Sequence, residues 1–243
     1  MIMNLPQLNA VKYEVSLPVS KRTVEVRPWL ISEEKALLIA KESEKPEEIA
    51  YAVLNILKQC TFDEDIEHMP IADVEWILLN AKAYSSGEMT NLLLRCQRKG
   101  DDGEKCSGTT PVEIDLQKEA NIDDFKFDFD KTVKLTDTIS VTLKSPNFGI
   151  FKKLLTSDSF AENTFQTIAS AIDYITDDDE VIKNFTLDDA IKFIESMNEK
   201  QLKDVTAVLN KFPKLMVSHD YKCSKCGKKN NFKVRNFFNF FMS

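Results

Sequence analysis

Tyr221-Lys222-Cys223-Ser224-Lys225-Cys226-Gly227-Lys228-Lys229 is the stretch on which the reading of this chain turns. Two residues between cysteines let both thiolates point into one tetrahedral site, and the glycine after the second permits the positive φ such a turn needs. One knuckle supplies two ligands, so a structural metal needs a second pair. Leu92-Leu93-Leu94-Arg95-Cys96 and Cys106-Ser107-Gly108 offer it, with nine residues between the cysteines, Gly100 and Gly103 among them. Strand, polar loop and return strand at this spacing predict a zinc ribbon built from distant segments, with Cys96, Cys106, Cys223 and Cys226 as ligands of one structural zinc.

Other readings of these cysteines stay open at this level. A redox Cys-x-x-Cys usually opens a helix after a strand, whereas here the flanks read as extended and polar. Four free buried thiols, His219 in place of one thiol, and a site shared across a subunit interface are the remaining alternatives. Cys60 closes an apolar helical pattern and reads as a small core residue.

The chain has 243 residues, 43% hydrophobic and 29% charged, with only 6 glycines and 8 prolines. That suits a soluble globular protein of one domain or two closely joined ones, and argues against disorder. No secretory pattern opens the chain and no run of ~18 apolar residues occurs, so the expectation is a reducing cytoplasm and no membrane partner. A net charge of −7 disfavours nucleic acid as a partner of the whole chain. The charge is uneven, however. Lys211, Lys214, Lys222, Lys225, Lys228, Lys229, Lys233 and Arg235 face a single acid, Asp220, and are read as a solvated ribbon face in preference to a phosphate-binding patch.

Outward from the knuckle, period-two alternation in Lys12–Leu17 and Thr23–Arg27 predicts a hairpin with one buried face. A helix is expected after Ser32 as N-cap, with Glu33 and Glu34 in its first turn. A second begins at Pro46 and carries Ile49, Val53, Leu54, Ile56 and Leu57. A third runs from about Ile71 to Gly87. Val112–Leu116 alternates as the return strand after Cys106; Phe125–Phe129, Val133–Leu135 and Ile139–Leu143 alternate in their turn and are expected to form a small antiparallel sheet. From Ser159 the pattern turns helical through Ile172, and Asp177-Asp178-Asp179-Glu180 reads as a solvated acidic turn. It lacks the alternation and glycine of an EF-hand loop. Thr186 and Asn198 cap two further helices, a helical hairpin stopped by Pro213.

The expected class is therefore α+β: an N-terminal hairpin with helices over 1–90, a zinc-ribbon-like element from 87–117 with 215–243, and strands followed by helices over 118–214. Phe237, Phe238, Phe240 and Phe241 crowd five positions near the end. Where a terminus would otherwise fray, they suggest packing or a partner contact. The two histidines, His68 and His219, have no carboxylate or serine at motif spacing. No nucleotide loop, metalloprotease helix or nucleophile elbow occurs. A four-thiolate zinc is coordinatively closed, so no enzyme and no small-molecule substrate is expected.

The order of segments also resembles a known family. Leu17-Pro18-Val19-Ser20, Val26-Arg27-Pro28-Trp29-Leu30 and Glu33–Ala40 resemble its opening. Asp73-Val74-Glu75-Trp76-Ile77-Leu78, Ala81-Lys82-Ala83 and Ser86-Gly87-Glu88 lie ahead of the first cysteine as in that family. Phe193–Met197, Phe212-Pro213-Lys214-Leu215 and Tyr221–Gly227 are similar to its closing pattern. The family is that of the baseplate hub and hub-assembly proteins of T-even-type contractile-tailed bacteriophages. The resemblance implies a non-enzymatic role in building the central hub of the baseplate, as a structural protein or chaperone. Its partners would be other phage hub or tail proteins, met in the host cytoplasm or in the virion. The Cys96–Cys106 loop and the 117–145 region are longer than in shorter members, which leaves hub subunit and assembly factor both open. The rival class is a zinc-ribbon nucleic-acid-binding protein related to transcription.

Overall fold

The computed structural model describes residues 8–62, 64–87, 89–99, 103–122, 129–150 and 160–235. The first hairpin forms where alternation places it, β1 (Tyr13–Ser16) pairing antiparallel with β2 (Thr23–Val26), and Val15, Leu17, Val24 and Val26 are buried. Its turn is held from a distance. The buried carboxylate of Asp73 accepts the backbone N–H groups of Val19 at 2.7 Å and Ser20 at 2.9 Å.

Helix α1 (Ile31–Glu42) starts earlier than Ser32 predicts, with Leu30 in the cap position. The reason is Glu33. Its carboxylate turns back to accept the Leu30 N–H at 2.7 Å and the Arg27 guanidinium, so a buried acid does the work assigned to the serine hydroxyl. Helix α2 (Pro46–Cys60) begins on its proline and buries the expected stripe. Helix α3 (Ile71–Ser86) is buried over most of its surface and ends at Gly87, whose φ of +87° ordinary side chains avoid.

Beyond it, β3 (Met89–Arg95) pairs with β4 (Thr109–Asp115). A short helix α4 (Leu116–Glu119), capped by Asp115, leads into β5 (Ala120–Ile122). This last strand joins β10 (Leu215–Lys222) and β11 (Lys229–Arg235) in a sheet of order β11-β10-β5.

The remaining strands, β6 (Thr132–Lys134), β7 (Ile139–Leu143), β8 (Ile172–Asp177) and β9 (Glu180–Ile182), form a four-stranded antiparallel sheet in sequence order. Helices α5 (Phe160–Ser170), α6 (Leu187–Glu195) and α7 (Glu199–Leu209) accompany it. The α+β class holds, and Val112–Asp115 is the return strand expected after Cys106, paired with β3, although Leu116 opens a helix. The small sheet expected at 125–143 extends further along the chain, because β7 takes β8 as its second neighbour and β9 follows. Of Phe125–Phe129, residues 125–128 lie outside the described residues, and Phe129 stacks edge-on to Phe212 at 5.2 Å. The acidic run Asp177–Glu180 is the turn of the β8–β9 hairpin, with Asp178 at φ +47°.

Buried apolar side chains fall into two clusters. One joins the first hairpin, α1 to α3, Ile114, Leu116, Leu215 and Val217. The other joins β6 and β7 to α5, α6 and α7 through Val141, Leu143, Ile168, Ile194 and Val205. The chain passes between them at 144–148, where Ile71 N–H meets Pro146 O at 3.1 Å and Phe148 N–H meets Met69 O at 2.9 Å. Leu215 brings it back to the first cluster, so the second is an excursion between the two halves of the cysteine-bearing region.

Candidate metal centre

Each cysteine pair sits at the tip of its own hairpin. Beyond β3 and β4 the ladder continues as Cys96 N–H to Gly108 O and Cys106 N–H to Arg98 O, both 2.9 Å, so these two cysteines stand on facing arms. At the other tip, Cys223 N–H bonds Lys228 O at 3.0 Å and Gly227 N–H bonds Cys223 O at 2.9 Å. Gly227 has φ +66°, the left-handed conformation expected of the residue after the knuckle.

The tips meet. Cys96 Sγ lies 3.7 Å from Cys226 Sγ, Cys106 Sγ lies 4.0 Å from Cys223 Sγ, and all four sulfurs fall within 4.8 Å of one another. A tetrahedron with metal–sulfur bonds of about 2.3 Å has sulfur–sulfur edges of about 3.8 Å. The four thiols could therefore hold a metal ion, and their chemistry suits a soft or borderline one. The alternative with His219 as ligand is not supported, since its Nδ1 lies 3.1 Å from Glu119 Oε1 and the cluster is complete within one chain. Cys60 stands apart in the N-terminal core, fully buried beside Arg27. Burial, with Glu33 nearby, pushes its thiol up to about 12, so it remains a neutral core group.

Backbone amides at the knuckle favour thiolate. The Cys226 N–H above all, and then that of Lys225, draw the Cys223 thiol down to about 6. Cys226 feels the Lys228 N–H in the same sense. Burial and the three neighbouring thiols outweigh it, and the group rises to about 11. Crowded sulfurs oppose one another's ionisation, and a cation placed between them would relieve that repulsion.

Several supporting residues have weak sequence signals. Asn230 is buried, accepts Gln97 N–H at 3.0 Å and the Cys96 thiol at 3.5 Å, and donates to Lys228 O at 2.9 Å. Tyr221 donates its hydroxyl to Arg95 O at 2.7 Å. Ser224, inside the knuckle, donates its hydroxyl to Thr109 O at 2.7 Å and its N–H to Thr110 Oγ1 at 2.9 Å. Gly108 is the tightest point, because a Cβ there would lie 2.7 Å from Cys223 Sγ. Inward phase on the β10–β11 hairpin is the one pattern that marks Tyr221 and Asn230. Nothing local marks Gly108.

A family model described as T4 bacteriophage base plate protein matches residues 10–242, a span that contains both hairpin tips and both cores. The chain belongs to that family. No curated protein and no solved structure matches it. The baseplate protein thus carries its cysteine cluster within a structural phage family, and among the described residues no helix is long and apolar enough to cross a membrane. Phe237, Phe238, Phe240 and Phe241, expected at a partner contact, lie outside the described residues.

Proposed function

We propose that this baseplate protein acts without catalysis in assembly of the central hub, by holding other hub proteins in the host cytoplasm. The observation that carries this reading is family membership across nearly the whole chain. The closed set of four thiols, which leaves no coordination position for a substrate, agrees with it. Within that role Cys96, Cys106, Cys223 and Cys226 bind one structural zinc. The zinc-ribbon-like element of 87–117 and 215–243 then fastens the end of the chain to its middle. The chain's own residues fix the site: Gly108 admits the sulfurs, Asn230 and Tyr221 tie the hairpins together, and the knuckle amides favour thiolate. Zinc supplies the cross-link.

Phe237, Phe238, Phe240 and Phe241 would contribute to holding the hub partner. Burying one phenylalanine is worth roughly 1.5–3 kcal/mol, so loss of two weakens binding more than about tenfold. The test is capture of the tagged protein from infected cells with mass spectrometry of what accompanies it, run beside purified virions. Recovery of hub proteins with the wild type, but not with a chain ending at Asn236 that melts normally, is the expected result. Recovery of none with the wild type would reject the role.

A further inference from the structure

The second hairpin of the ribbon carries a row of cations that the metal site does not use. Lys222 and Lys229 are register partners across β10 and β11, and both are exposed. Four residues along β11, Lys233 is exposed opposite Ser218. Arg98 reaches over from the other hairpin tip and donates Nε to Lys229 O at 3.0 Å. Arg98, Lys222, Lys229 and Asn231 help to line a groove of about 290 Å³. Like charges directly opposite weaken a strand pair. Among the described residues no carboxylate pairs with Lys222, Lys229 or Lys233, and the acid that lines the same groove, Asp220, accepts from Asn231 Nδ2 at 2.6 Å.

Among the described residues the same strand has a neighbour on one side alone. In the order β11-β10-β5 it is outermost, and past Lys229 no described strand covers its outer edge. Such an edge presents backbone N–H and C=O groups to any extended chain. Lysines along it repel a second copy of the same edge while accepting a strand of opposite charge. From Lys211 to Arg235 eight cations face one acid, in a chain whose net charge is −7, so the rest of the molecule is acidic. A short acidic peptide covers the row alone. A polynucleotide, continuing past a strand roughly 23 Å long, runs into the acidic remainder.

We propose that the outer face and outer edge of β11 dock an extended acidic segment of a partner protein, with carboxylates on one face of that segment against Lys229 and Lys233 and reaching Lys222 beside Lys229. The proposal rests on the hub-assembly reading and adds the chemistry of the partner. The probe is a fluorescein-labelled ten-residue peptide of alternating glutamate and valine, titrated by anisotropy into the full chain at two salt concentrations. Binding should weaken with salt, and should weaken at least about tenfold in the Lys222→Glu, Lys229→Glu, Lys233→Glu variant. Melting temperature and metal content should stay at wild-type values, and the variant should gain affinity for the matching lysine–valine peptide. Neutral Lys→Gln replacements at the three positions should show the same loss if the reversal disturbs folding. Equal affinity of wild type and variants would overturn the proposal. So would tighter binding of a ten-base-pair DNA duplex than of the peptide at equal salt. In infected cells, a variant that loses the peptide yet still recovers hub proteins would overturn this surface alone. A wild type that recovers none would overturn the hub reading as well.

Discussion

Gly108→Ala is the sharpest test of the cysteine cluster, because it adds one methyl and changes no ligand. The new Cβ would lie 2.7 Å from Cys223 Sγ, 2.7 Å from Lys225 Cβ and 3.3 Å from Cys106 Sγ. Comfortable carbon contacts begin near 3.5 Å, so something must move by roughly 0.8 Å or more. Lys225 Cβ belongs to the knuckle and the sulfurs are ligands of the proposed zinc, so none is the loose end of a flexible side chain. Overpacking of this kind costs typically about 1–3 kcal/mol. If it falls on the bound state, zinc affinity drops by about five- to a hundredfold. Competition against a chromophoric chelator reads the affinity, and melting with and without zinc reads the linkage. Gly103→Ala, at a loop position where a Cβ meets nothing within 4 Å, serves as the distant control. Its φ of +82° costs only local strain. Wild-type zinc affinity in Gly108→Ala would refute the packing of the two tips as described here.

Cys223→Ser should abolish stoichiometric zinc and lower the melting temperature, whereas Cys60→Ser should leave elemental zinc at about one equivalent per chain. Asp73→Ala removes the acceptor of two amides in the first turn, on half-buried Val19 and exposed Ser20, at about 0.5–1.5 kcal/mol for each hydrogen bond lost, which denaturant unfolding would report. The Cys223 thiol is drawn below its usual value to about 6, so its thiolate persists above that pH and is lost below it. Zinc must displace the remaining thiol protons, so its affinity should fall as pH falls, read by dye release. Asp65 accepts from His68 Nδ1 at 2.9 Å and raises the histidine. Asp65→Asn should bring His68 back toward its ordinary value in an NMR titration.

The sequence disclosed chemistry better than pairing. The four cysteines, the glycine after the knuckle and the caps at Thr186 and Asn198 were legible because each is a local signal. Thr186 Oγ1 accepts Asp189 N–H at 3.2 Å, and Asn198 Oδ1 accepts Gln201 N–H at 3.0 Å. Strand partners depend on segments far apart, and alternation in Ile139–Leu143 is the same whether its second neighbour lies before it in the chain or, as β8 does, well after it. The β8–β9 hairpin escaped notice because Ile168, Ala169 and Ile172 continue a helical stripe across the end of α5 at Ser170. Glu33 shows a further limit. An acid in a first turn suggests a favourable dipole, but nothing local reveals that it pairs with Arg27 and sets where the helix begins.

The discontinuity of the ribbon also has a meaning in time. Cys106 and Cys223 are 117 positions apart, and the whole second core lies between them. At synthesis rates of about 5–20 residues per second, the first hairpin waits roughly 6–23 s for its counterpart to be made. A chain interrupted between Val217 and Cys226 holds every buried residue of both cores and still cannot close the cluster. Closure therefore registers that translation has passed Cys226, and a chain stopped short of it carries an open hairpin tip.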